Sequence, residues 1–137
     1  MKKKLTFLIF ICLITGVQAQ GNDEQNPFYI NVYINADEEI RVESDLISFS
    51  DIGNSIDQII RNHPFKRDTP IVYRIFADEN LQLGIITDVE QQMLTAYSYQ
   101  VKRERYLLQV VRKELDGPNW LEKLEGKKIF WQQPKNL

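Results

Sequence analysis

Between Pro70 and Ala77 the sequence reads Pro-Ile-Val-Tyr-Arg-Ile-Phe-Ala, so Ile71, Val72, Tyr73, Ile75 and Phe76 put apolar side chains on both faces of any strand built from it. Successive side chains of a strand point to opposite sides, and a strand apolar on both sides must lie inside a sheet covered at least partly on each face. The segment Phe28 to Asn35 supplies a neighbour. There Phe28, Ile30, Val32 and Ile34 alternate with Tyr29, Asn31, Tyr33 and Asn35, the period of a half-buried strand. Asp37-Glu38-Glu39 is a polar turn into Ile40 and Val42, which read as its hairpin partner.

Two helices accompany these strands. Ile52, Ile56, Ile59 and Ile60 fall on one stripe at helical spacing behind Ser50, a candidate cap, and His63-Pro64 closes the segment. A polar loop from Asp78 to Gly84 leads into the second helix. Ile86, Val89, Met93, Tyr97, Val101, Leu108, Val111 and Leu115 come close to one stripe that runs to Gly117-Pro118. That stripe predicts a long helix whose second half, with Lys102-Arg103-Glu104-Arg105 as a solvated face, projects beyond the sheet. The expectation is an α+β domain: a small, mostly antiparallel sheet in the order β-β-α-β-α, helices on one face, and a long C-terminal helix with a basic tail.

Residues 1–19 have the build of an export signal. Lys2-Lys3-Lys4 precede the apolar run Leu5 to Ile14, and Gly16-Val17-Gln18-Ala19 supplies the small-residue end, which places cleavage after Ala19. The apolar run is shorter than the roughly 20 residues that span a bilayer, and an uncleaved membrane tether facing the periplasm is the alternative. Residues 20–27 read as a flexible lead-in, 28–100 as the folded domain, and 101–137 as the helical extension and tail. Cys12, the one cysteine, belongs to the leader, so the exported part has neither thiol nor disulfide. Without the leader, 14 basic residues face 19 acidic ones. Residues 20–100 hold 5 basic and 14 acidic residues, whereas 101–137 hold 9 and 5. An acidic body in an exported chain excludes nucleic acid as the natural partner.

Catalytic constellations are scarce. His63 is the only histidine, which leaves no Cys-His pair and no zinc cluster of His or Cys ligands. No serine lies in a Gly-x-Ser-x-Gly elbow, and there is no glycine-rich phosphate loop. Asp37-Glu38-Glu39 and Asp78-Glu79 offer carboxylates for acid-base or Ca²⁺ chemistry, but both lie at turns, where solvated acids are common. Neither an enzyme nor a cofactor is indicated. Trp120, Phe130 and Trp131 beside Lys127 and Lys128 are anchors of the kind interfaces favour, with docking onto the chain's own body as the competing reading. Tyr97 and the Asp78 to Gly84 loop complete the candidate contacts.

With these residues in place, the chain resembles the periplasmic domain of the ExbD/TolR biopolymer-transport family. The likeness covers about residues 28–100 and rests on the order strand, strand, helix, strand, loop, helix. Its residues are Ile40-Arg41-Val42, Ile47-Ser48-Phe49, Asn62-His63-Pro64 and Thr69 to Asp78, followed by Leu81, Gly84, Asp88, Val89 and Ala96. The run from Tyr97 to Leu115 looks like the extended second helix of ExbD proteins from the Bacteroidetes. Leu83 departs from the family, which often has an aromatic residue there. The resemblance implies a Gram-negative envelope protein acting in transport. Its implied partners are a TonB-like protein, an ExbB/ExbD complex, peptidoglycan or a second copy as a homodimer. ExbD and TolR proteins carry an acidic residue inside one transmembrane helix that takes part in proton-driven transduction. Nothing from Leu5 to Ala19 is acidic, so that activity is not expected here. A small exported hydrolase or ligand-binding protein using the Asp78 to Gly84 loop is the rival expectation.

Overall fold

The computed structural model describes residues 26–64, 69–109 and 114–126, with the backbone of residues 131–132. In chain order the elements are β1 (Phe28–Ile34), β2 (Ile40–Val42), β3 (Asp45–Ile47), α1 (Ile52–Asn62), β4 (Ile71–Asp78), α2 (Leu83–Ala96), β5 (Val101–Leu108), α3 (Trp120–Gly126) and β6 (Trp131–Gln132). The strands form one sheet in the order β3-β2-β1-β4-β5-β6. Its margins are antiparallel, β2 with β1 and β3, and β6 with β5, whereas β4 runs parallel to both β1 and β5. The doubly apolar strand β4 therefore sits at the centre, as its composition requires.

Each parallel pairing needs a crossover, and α1 and α2 provide them. Both crossovers step in the same direction across the sheet, so connections of one hand place both helices on one face. On that face Ile52 and Ile56 of α1 and Ile86, Val89 and Met93 of α2 bury against Ile30, Val32, Ile34, Ile71, Tyr73, Ile75 and Ala77. Ser50 does not cap α1. It lies inside the 3-10 turn Phe49–Asp51 that leads into the helix, and no side chain caps the α1 N-terminus.

The opposite face has its own core. Tyr33, Phe76 and Leu108 from the sheet pack with Leu115, Trp120 and Leu124, so α3 covers the side away from α1 and α2. The expectation of helices on a single face therefore holds for α1 and α2 only. This second layer explains why β4 is apolar on both sides.

The long C-terminal helix is overturned. α2 stops at Ala96, Tyr97 is already extended, and Gln100 turns the chain with φ of 53°. Val101–Leu108 then pairs with all of β4, from Ile71↔Val101 to Asp78↔Leu108. The folded domain does not end at Gln100, because β5 is part of its sheet. Gly117, with φ of 134°, takes a conformation open to glycine and helps turn the chain into α3.

Candidate interaction surface

Strand β5 carries opposite chemistry on its two faces. Val101, Arg103 and Arg105 lie beside Ile71, Tyr73 and Ile75, and so belong to the face covered by the helices. There they meet Glu90 of α2. Arg103 Nη1 donates to Glu90 Oε1 at 2.8 Å, Arg105 Nε donates to Oε2 at 2.7 Å, and Arg105 Nη2 makes a further contact with Oε2. The Glu90 side chain is 2% exposed, against 51% for Arg103 and 35% for Arg105. One buried carboxylate thus fixes two partly exposed guanidinium groups, leaving one positive charge in excess.

On the other face, Glu104 gathers the charges. It contacts Lys102 Nζ at 2.8 Å and Arg74 Nε at 3.3 Å, and accepts the Tyr106 hydroxyl at 2.6 Å. The Arg74 guanidinium lies 3.4 Å over the Tyr29 ring, an arrangement in which the ring quadrupole attracts the cation. Burial alone would push the Glu104 carboxyl up, but the hydrogen bonds from Lys102 and Tyr106 and the charges of Lys102 and Arg74 outweigh it and hold it below the ordinary range. Burial and the bond to Glu104 push Tyr106 up to about 12.

Among the described residues the outer edge of β5 is paired only at one end. β6 joins it at Leu107↔Gln132 and Leu108↔Trp131, and among the described residues no strand pairs with the outer edge from Val101 to Arg105. In a strand paired on one side, alternate residues present their backbone N–H and C=O outward. The opposite margin of the sheet is the three-residue strand β3, with Leu46 and the nearby Phe49 exposed.

The residues singled out from sequence are scattered. Asp78 ends β4 almost buried, its Oδ1 accepting the Asn80 backbone N–H and side-chain amide at 2.9 Å, an Asx turn that shapes the loop. Gly84 lies exposed in the first turn of α2. Tyr97 is half-buried just past α2, and its carbonyl accepts the Tyr73 hydroxyl at 2.8 Å. Trp120 is fully buried and docks onto the chain's own body, which removes it from any external contact. Lys127, Lys128 and Phe130 lie outside the described residues, as does the side chain of Trp131, whose backbone belongs to β6.

Two grooves lie elsewhere. One of about 600 Å³ is lined by Ser44, Pro118, Asn119, Leu121, Glu122 and Glu125, and one of about 400 Å³ by residues including Asp45, Gln58 and Asn62 beside the stacked rings of Phe28 and His63. The Asp78 to Gly84 loop lines neither. Among the described residues no three His, Cys, Asp or Glu side chains are grouped to hold a metal, and no helix is long and apolar enough to cross a membrane.

Sequence reasoning passed over Glu90, although a signal was present: it falls on the apolar stripe of α2 between Ile86 and Met93. A charge there must be paired or lost, and both cations come from β5.

Glu43 was also missed. It sits in the β2–β3 turn with φ of 50°, its Oε1 accepting the Asn31 backbone N–H at 2.7 Å and its carbonyl accepting the Trp120 indole N–H. Burial raises its carboxyl pKa above the ordinary value, opposed by the bonds from Asn31. Asn31 Oδ1, beside it, is buried with no hydrogen-bond partner among the described residues. A raised folded value means that the native state binds the proton more tightly. Glu43 therefore favours folding at pH below the ordinary carboxylate range, and that contribution is lost as pH rises through the folded value. Glu43→Gln keeps an acceptor for Asn31 N–H, adds a donor for Asn31 Oδ1 and carries no charge. Urea unfolding is expected to find it at least as stable as the parent at neutral pH and less sensitive to pH. Glu43→Ala strands the Asn31 N–H and is expected to cost about 1–3 kcal/mol.

No family profile matches the chain, and no curated protein matches it.

Proposed function

We propose that the chain is a non-catalytic interaction module of the Gram-negative cell envelope, similar to the periplasmic domain of ExbD/TolR proteins, exported through residues 1–19 and serving TonB/Tol-type transport. The observation that carries this reading is the outer edge of β5, open from Val101 to Arg105 among the described residues. An open edge admits a partner by strand addition, in which backbone bonds supply affinity and alternate side chains supply selectivity. The element order that underlies the family resemblance recurs from Phe28 to Ala96 with one strand added, β3 before α1, and this partial agreement supports the same reading. The partner is an envelope protein of the TonB-like or ExbB/ExbD-like kind; peptidoglycan, which has no long extended peptide, is the weaker candidate for a strand edge.

Removing residues 118–137 would not test this, since it withdraws Trp120 and Leu124 from the core. Site-specific photo-cross-linking in cells does. A probe at Lys102, whose side chain is 69% exposed on β5, is expected to yield a discrete adduct with an envelope protein, and a probe at exposed Asn54 on α1 is not. Equal yields from both positions, or none from either, overturn the reading. Mass spectrometry of the purified protein tests export, with a mature N-terminus near Gln20 expected.

A further inference from the structure

We propose that the β2–β3 hairpin has a second setting, an unbroken strand from Ile40 to Leu46 paired along β1, and that the change of setting releases α3. In the register of β1 with β2, where Val32 pairs with Val42, Tyr33 with Arg41 and Ile34 with Ile40, the next pair is Asn31 with Glu43. Opposed residues of an antiparallel ladder alternate between pairs that exchange both backbone bonds and pairs that exchange none. Asn31 and Glu43 complete half of such an exchange. Glu43 N–H donates to the Asn31 carbonyl at 2.9 Å, but Asn31 N–H donates to Glu43 Oε1 at 2.7 Å in place of the Glu43 carbonyl. With φ of 50°, Glu43 turns that carbonyl away from β1, and it accepts the Trp120 indole N–H instead. The side chain stands in for its own main chain at β1, and the main chain so released holds α3.

The turn that imposes this arrangement is poorly matched to its residues. Val42 pairs with Asp45, which leaves Glu43 and Ser44 as a two-residue loop. Such loops place their first central residue in the left-handed region and favour glycine, asparagine or aspartate there, whereas glutamate pays the Cβ penalty. The segment Ile40-Arg41-Val42-Glu43-Ser44-Asp45-Leu46 contains neither glycine, proline nor asparagine, and it alternates throughout as one strand does. Run on in the observed register, it completes the exchange between Asn31 and Glu43, sets Asp45 level with Tyr29, and carries Leu46 level with Phe28. Leu46 is 54% exposed in β3, and the extended setting moves it to the side of Ile40 and Val42, which the helices cover. The three pairs of β3 and the acceptor of Trp120 are given up in return, which keeps the hairpin the major form. The β3 margin and the α3 side of the sheet are thereby joined through one residue, a two-state element that a ligand at either end would bias.

Two cysteine pairs, each made in the full chain with Cys12→Ser, separate the settings. Arg41→Cys with Leu46→Cys joins residues directly opposed in the hairpin and locks it when oxidised. Tyr29→Cys with Asp45→Cys joins residues opposed only in the extended strand. In the hairpin Asp45 stands level with Val32, two strands from β1, so its Cα is at least about 9.5 Å from that of Tyr29, beyond the roughly 7 Å a disulfide spans. The extended strand brings the two Cα atoms to about 5.5 Å. Both pairs are expected to close in a glutathione buffer. Hydrogen exchange at the Trp120 indole, followed by NMR, then reads the tie to α3. Oxidation is expected to slow it at least about tenfold in the hairpin pair and to speed it at least about tenfold in the extended pair. Comparing oxidised and reduced forms of one molecule keeps each reading independent of what the substitutions do to folding. Failure of the extended pair to close where the hairpin pair closes overturns the second setting. Indole exchange that ignores oxidation in either pair overturns its coupling to α3.

Discussion

Trp120→Ala is expected to lower the unfolding free energy by about 3–5 kcal/mol, a large share of the 5–15 kcal/mol typical of a small domain. The indole is fully buried, stacked on Tyr33 at 5.2 Å and edge-on to Phe76 at 5.5 Å between ring centroids. Truncation opens a cavity between α3 and the sheet and leaves the Glu43 carbonyl without its indole donor. The two effects separate in Trp120→Phe, which keeps most of the volume and loses only the N–H, at an expected cost of about 1–2 kcal/mol. Urea unfolding followed by circular dichroism reads both changes without relying on the fluorescence of the lost indole. A cost below about 1 kcal/mol for the alanine variant would mean that α3 does not close the second face of the sheet.

The residues that anchored the sequence reading were those whose pattern has one physical solution. Strict alternation from Phe28 to Asn35 and the doubly apolar run from Ile71 to Ala77 each specify a strand and its depth in the sheet. The Ile52, Ile56, Ile59, Ile60 stripe specifies a helix. The stretch after Ala96 had two solutions. Val101 and Leu108 fit a helical stripe at loose spacing, and Lys102-Arg103-Glu104-Arg105 looks like a solvated helix face. The same residues also alternate, Val101, Arg103 and Arg105 against Lys102, Glu104 and Tyr106, as a strand does. Helix stop signals would have separated the readings, but none stands between Ala96 and Val101. The chain turns at Gln100 in the left-handed region without using a glycine or proline. The basic residues of β5 were consequently placed on a projecting helix, far from the acid they serve. Glu90 likewise looked unremarkable in a list of acids, because its meaning depends on partners contributed by another element.

That partnership yields the second large effect. Methionine at both Arg103 and Arg105 keeps the aliphatic stems and removes the charges, stranding the Glu90 carboxylate in the interior. The expected cost is about 3–5 kcal/mol, the range for an uncompensated buried charge. Glu90→Gln is expected to cost less, roughly 1–2 kcal/mol, because the arginines it releases are 51% and 35% exposed and regain water. The asymmetry identifies the clamp: an ordinary surface ion pair would make all these changes worth about 1 kcal/mol or less. Glu90→Leu added to the double methionine variant removes the stranded charge and is expected to recover most of the loss, a coupling that urea unfolding measures as non-additivity among the three positions. Glu90 is needed for stability only while the arginines are charged, and the arginines tie β5 to α2 only while Glu90 is there to receive them.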